Sequence, residues 1–115
     1  MRILTFLGDY SYIDKEVHSG LVCFCHFDKE ESSEKIEKIV LKLLDVAGSL
    51  KIVIVPFAHL YENVIEPTLA QALFIRLSEG LAKYNKEVYL APFGITKALH
   101  LDVSADDSAI RFFNF

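Results

Sequence analysis

The 115-residue sequence is short of cysteine, of positive charge and of long apolar runs, and each shortage removes a class of protein. Cys23 and Cys25 are its only cysteines. Two positions apart on a strand, they would share a face and could not pair comfortably, so they are expected as reduced thiols in a cytoplasmic protein. The longest apolar stretches, such as 52–60, fall far short of the roughly 20 residues that a membrane-spanning helix needs. The apolar opening stops at Gly8-Asp9 and is too short for a secretory signal, so no membrane partner is expected. With a formal net charge of −4 the chain has no basic footprint of the kind that drives sequence-independent nucleic-acid binding. What is present is an ordinary globular composition, 52% hydrophobic and 24% charged, in a chain long enough to fold as one domain, 1–115, without a disulfide or a structural metal.

The order of patterns predicts a two-layer α/β domain with a mixed sheet and two main helices, in the order β-β-β-α-β-α-β-β. Residues 2–7 form a short apolar run closed by the turn signal Gly8-Asp9. Residues 10–17 alternate weakly and 21–27 form a second strong run, with Ser19-Gly20 between them as a hairpin signal. Ile36, Ile39, Val40, Leu43, Leu44 and Ala47 repeat at helical spacing, with Ser32 or Ser33 as cap and Gly48 as the stop. Residues 51–55 are a continuous β-branched run stopped by Pro56, as expected of a strand covered on both faces. A second helix starts at Pro67-Thr68 and runs to about Lys83, with Leu69, Leu73, Leu77 and Leu81 along one side. Residues 87–91 and 97–103 read as further strands, and Phe112, Phe113 and Phe115 close the chain.

An internal echo points to a site. The strand ending at Val55 runs into Pro56-Phe57, and the strand ending at Ala91 runs into Pro92-Phe93. A helix lies between them, and a strand–helix–strand unit makes its two strands parallel. Both Pro-Phe turns are therefore expected at one edge of the sheet, beyond the carboxyl ends of the strands, where open α/β sheets bind ligands. His59 follows the first turn and Lys97 the second, while Gly94 offers a place where backbone can approach a ligand.

The segment Val55-Pro56-Phe57-Ala58-His59-Leu60, followed by Ala91-Pro92-Phe93-Gly94 and then Lys97-Ala98, resembles the paired motifs of the amino-terminal editing domain of archaeal threonyl-tRNA synthetases. Arg2-Ile3-Leu4 and Asp9-Tyr10 are similar to that family's opening strand and loop. The resemblance implies a D-aminoacyl-tRNA deacylase-like fold and hydrolysis of seryl-tRNA made in error by the synthetase. Carried over by position, it implies that Lys97 and His59 are catalytic. Pro56, Phe57, Ala58, Ala91, Pro92, Phe93, Gly94 and Thr96 would line the pocket for the aminoacyl group. Lys97 would supply positive charge or orient water, and His59 would fix the ribose or shuttle a proton near neutral pH. No cofactor is implied. The implied partners are the 3′ end of an aminoacylated tRNA, a second copy of the chain and a threonyl-tRNA synthetase catalytic subunit, for a domain either excised from a synthetase or free-standing and acting in trans. The family's tyrosine before the lysine is Thr96 here and its carboxy-terminal glutamate falls near Ile110, with Asp106 and Asp107 close by. These departures imply impaired catalysis, or a module that binds an amino acid or aminoacylated tRNA without turnover.

The remaining chemistry-bearing residues have structural readings. Cys23-x-Cys25-His26 lacks zinc-finger spacing, and His26 is expected to face away from both thiols. His100 and His18 are assigned no function. Glu62 and Glu66 suit the entry to the second helix, where the dipole favours an anion.

Overall fold

The computed structural model describes residues 1–12, 16–28, 33–57, 65–93, 99–104 and 109–115. They form strands β1 (Arg2–Tyr12) and β2 (His18–His26), helix α1 (Ser33–Ala47), strand β3 (Ile52–Pro56), helix α2 (Pro67–Ala82), and strands β4 (Val88–Leu90), β5 (Leu99–Val103) and β6 (Ile110–Asn114). The sheet order is β4-β3-β2-β1-β5, with β6 also paired to β1. β2, β3 and β4 run parallel, while β1 is antiparallel to β2, β5 and β6. This is the expected mixed α/β architecture, divided differently along the chain. The runs at 2–7 and 10–17 were expected as two strands, but residues 2–12 are one, and the aromatic end, not expected as a strand, is the sixth.

Gly8-Asp9 is therefore not a turn. A Cβ on Gly8 would lie 1.9 Å from the carbonyl oxygen of Asp102 on β5, so the glycine marks a close backbone approach inside a continuous strand. It is also where β1 changes neighbours, pairing with β6 over Arg2–Phe6 and with β5 over Gly8–Tyr12. Gly20, its register partner on β2, is pinched from the other side by the carbonyl oxygen of Lys51.

Both helices pack on one face of the sheet. Ile36, Ile39, Val40, Leu43 and Ala47 are the buried stripe of α1, and Gly48, at φ 57°, ends the helix with its N–H donating to the Leu44 carbonyl at 3.1 Å. α2 opens with Pro67, whose missing N–H is one that a first turn leaves unpaired anyway. Its buried residues are Leu73, Phe74, Leu77 and Leu81; Leu69, expected on the same stripe, is 51% exposed, so the packed face begins one turn later. Burying a leucine or isoleucine side chain contributes about 1.5–3 kcal/mol, so this stripe stabilises the fold substantially. A second apolar cluster, Tyr10, Val22, Phe24, Val53 and Val55, lies on the opposite face. β2 and β3 are thus buried on both sides, as their unbroken apolar runs require.

Gly20→Ala is expected to cost about 2–4 kcal/mol, because a Cβ would meet backbone 2.2 Å away at a φ of 149°. Gly48→Ala, with nothing within 4 Å, should cost only about 1–2 kcal/mol for its left-handed conformation. Urea unfolding midpoints of the two variants check the difference.

Candidate functional site

Three parallel strands deliver their carboxyl ends to one rim. β3 is stopped by Pro56, which cannot donate to a ladder, yet the next N–H, of Phe57, still donates to the Cys25 carbonyl of β2 at 2.9 Å. β4 ends in the same way, with the Ala91 N–H donating to the Ile54 carbonyl of β3 at 2.8 Å. Each turn is thereby tied to the strand beside it, and the two lie at the same edge as expected.

Their rings diverge. Phe57 continues the alternation of β3 and packs on the face away from the helices, with its centroid 5.3 Å from Phe24, which meets Phe6 edge-on at 5.4 Å. Phe93 stands at a bend just after Pro92 and packs on the helix side, 5.9 Å from Phe74, which meets Phe27 at 4.7 Å. An aromatic ladder therefore buttresses the rim on each face and helps to hold both turns. Ala91 is 1% exposed and serves as core beneath the rim, whereas Pro56, Phe57, Pro92 and Phe93 are half-buried at it. Ala58, His59, Gly94, Thr96 and Lys97 lie outside the described residues, as do Glu62, Asp106 and Asp107.

The rim also holds charged residues that reading the sequence for Pro-Phe turns missed. β2 ends in His26-Phe27-Asp28, and Arg2 is the register partner of His26 across the antiparallel β1. The Asp28 carboxylate accepts from the Arg2 guanidinium at 2.5 Å and from the Met1 amino group at 3.3 Å, and its other oxygen lies 3.6 Å from His26 Nε2. The signal was present in the sequence, since β2-α1-β3 is a second strand–helix–strand unit and places the end of β2 beside that of β3. In this sheet Asp28 clamps the start of β1 to the end of β2 next to the first Pro-Phe turn.

Cys23 and Cys25 face the helices and are fully buried, and each Sγ donates to the carbonyl two residues earlier, at 3.8 and 3.5 Å. Burial pushes both thiols well above the ordinary range, so neither is a nucleophile. His26, on the opposite face of β2, cannot join them around a metal, as its alternation predicted. Glu66 stands at the N-cap of α2 and makes no side-chain capping bond. His100 is exposed on β5.

Comparison with known proteins gives a consistent picture. The family model for the Archaea-specific editing domain of threonyl-tRNA synthetase matches residues 8–110. The threonine–tRNA ligase editing subunit of Saccharolobus solfataricus is 37% identical over 89 residues, covering 75% of this chain and 23% of that protein. The threonine–tRNA ligase of Methanopyrus kandleri is 36% identical over 94 residues, 76% of this chain and 15% of that protein, and that of Pyrococcus furiosus is 34% identical over 77 residues, 64% and 12%. The chain thus spans less than a quarter of the length of these curated relatives. A solved structure, the c-Myc DNA Unwinding Element Binding Protein, shares the fold with a TM-score of 0.79 over 99% of this chain and 97% of that one, at 11% identity.

Asp28→Ala leaves the Arg2 guanidinium and the Met1 amino group without their shared acceptor. The expected cost is about 1–3 kcal/mol of stability, read as a lowered urea midpoint.

Proposed function

Because the chain belongs to the archaea-specific editing-domain family of threonyl-tRNA synthetases, we propose that it hydrolyses the ester linking a wrongly attached amino acid, serine first of all, to the terminal ribose of tRNA. Water attacks the ester carbonyl and the bond to the ribose oxygen breaks, releasing free amino acid and tRNA with its hydroxyl restored. The protein's task is to position that water and to stabilise the oxyanion that develops. Lys97 carries the positive charge for the oxyanion or orients the water, and His59 fixes the ribose hydroxyl or passes it a proton. Pro56, Phe57, Ala58, Pro92, Phe93, Gly94 and Thr96 form the walls.

The observation that carries this reading is the parallel pairing of β3 with β4, by which two identical Pro-Phe stops reach one rim. His59 is two residues beyond Phe57 and Lys97 four beyond Phe93, and a chain spans at most roughly 3.6 Å per residue. The tRNA makes contact through its 3′ end alone, which suits a net charge of −4, and a threonyl-tRNA synthetase supplies the wider grip. A cytoplasmic site of action follows from that partnership; among the described residues no helix is long and apolar enough to cross a membrane. A second copy of the chain pairs along β6, an edge strand on which Ile110 and Phe112 are 57% and 55% exposed.

Purified protein should deacylate seryl-tRNA faster than the spontaneous rate, alone or with a threonyl-tRNA synthetase, and leave threonyl-tRNA largely intact. Lys97→Ala should lower the rate about 100-fold or more while leaving the unfolding midpoint within about 0.5 kcal/mol of the parent. One observation favours a second reading, binding without turnover: Ile110, where the family's glutamate falls, is an exposed apolar residue. Calorimetric binding of a seryl-adenosine mimic with no hydrolysis above background would select that reading.

A further inference from the structure

At the end of the sheet opposite the rim, three residues from consecutive strands meet on the face away from the helices. His18 opens β2, Lys51 immediately precedes β3, and Tyr89 is the middle residue of β4. The imidazole of His18 stacks on the Tyr89 ring, with centroids 3.6 Å apart and planes within 13°. The Lys51 Nζ lies 2.7 Å from His18 Nδ1 and 5.9 Å from the Tyr89 centroid. An ammonium group can only donate, so Nδ1 must accept. His18 is therefore neutral, with its proton on Nε2.

β4 gives this cluster its importance. It is an edge strand of three residues, in register with β3 only at Ile52↔Val88, Val53↔Tyr89 and Ile54↔Leu90, and it leads directly into Ala91-Pro92-Phe93. So short a strand has little ladder to hold it, and the stacked and cation-bound ring of Tyr89 grips its midpoint. We propose that His18, Lys51 and Tyr89 are positioning residues that hold β4, and with it the second Pro-Phe turn, in place only while His18 is neutral. The consequence for catalysis rests on the reading of the opposite rim as an editing site; the grip on β4 does not.

Protonating Nδ1 would replace an acceptor by an N–H aimed at an ammonium 2.7 Å away, and two cations would then face each other in a half-shielded place. The groups facing His18 are Lys51 ahead of β3, Glu87 and Tyr89 on the β4 side, Glu16 in the connection before β2, and Tyr10, its register partner on β1. Burial and Lys51 hold His18 below its ordinary value of 6.5, against the opposing pull of Glu16 and Glu87. As the pH falls below 6.5 the unfolded chain takes up the proton first. The contribution of the cluster is thus fully present above 6.5 and is lost as the pH falls through the lowered folded value.

Hydrogen exchange read by NMR on the whole chain tests this. After correction for intrinsic exchange rates, protection of the Ala91 amide should fall about tenfold or more between about pH 7.5 and about pH 5, following the ring titration of His18. The Phe57 amide, just beyond interior β3 and bonded to the Cys25 carbonyl of β2, should change little. In His18→Gln, which keeps a neutral acceptor for Lys51, the Ala91 response should disappear. Tyr89→Leu should show about tenfold lower Ala91 protection than the parent already at about pH 7.5. A flat Ala91 response in the parent, the same fall in His18→Gln, or parent-like protection in Tyr89→Leu would each overturn the proposal. In the seryl-tRNA assay, the acid limb of kcat should follow His18 and move in His18→Gln. Absence of deacylation at every pH, with the Ala91 response intact, would count against the editing reading and leave the positioning role standing.

Discussion

Two crossovers, β2-α1-β3 and β3-α2-β4, constrain the rest of the molecule. A parallel pair cannot be joined by a tight turn, so each crossover helix must lie on a sheet face, and both lie on the same one. That choice buries one face under helices and sends three carboxyl ends to a single rim. Because a second apolar cluster lies on the opposite face, β2 and β3 are apolar on both sides, and Leu21, Val22, Cys23, Phe24 and Cys25 follow one another without a polar interruption. β1, on the far side of β2, carries β6 along one half and β5 along the other.

The two ends of the parallel strands have been given different work. The carboxyl rim is supported by aromatic ladders and by one ion cluster at Asp28, so that its turns are held by packing and a few charges. The opposite end is held by a polar stack, His18 on Tyr89 above Lys51, whose strength depends on a proton. Packing has little dependence on pH in the physiological range, whereas an imidazole accepting from an ammonium does. A weak edge strand between these two ends is the natural place for a proton taken up at one to be felt at the other.

Much of the architecture was legible in the sequence. The helical spacing of Ile36 through Ala47, the stop at Gly48, the start at Pro67 and the β-branched run before Pro56 all specify local structure through sterics that need no neighbour. The Pro-Phe echo and the helix between its halves were enough to place two turns at one edge. The same logic applied to β2-α1-β3 would have found Asp28. Gly8-Asp9 misled because a glycine that permits close approach and a glycine that permits a turn look identical until the approaching strand is known.

The sequence by itself determined both helices, the apolar strands β2 and β3, and that the strands flanking α2 run parallel and bring two Pro-Phe turns to one edge, because those facts depend on local sterics and the handedness of crossovers. Only the tertiary structure decided that β1 is one strand shared by two neighbours and that the two phenylalanines of the echo face opposite sides. The same holds for His18, Lys51 and Tyr89, residues distant in the sequence that meet in one stack. These are contacts between segments with no local signature, fixed by register and by which backbone approaches which, and register is settled only when the whole sheet is assembled.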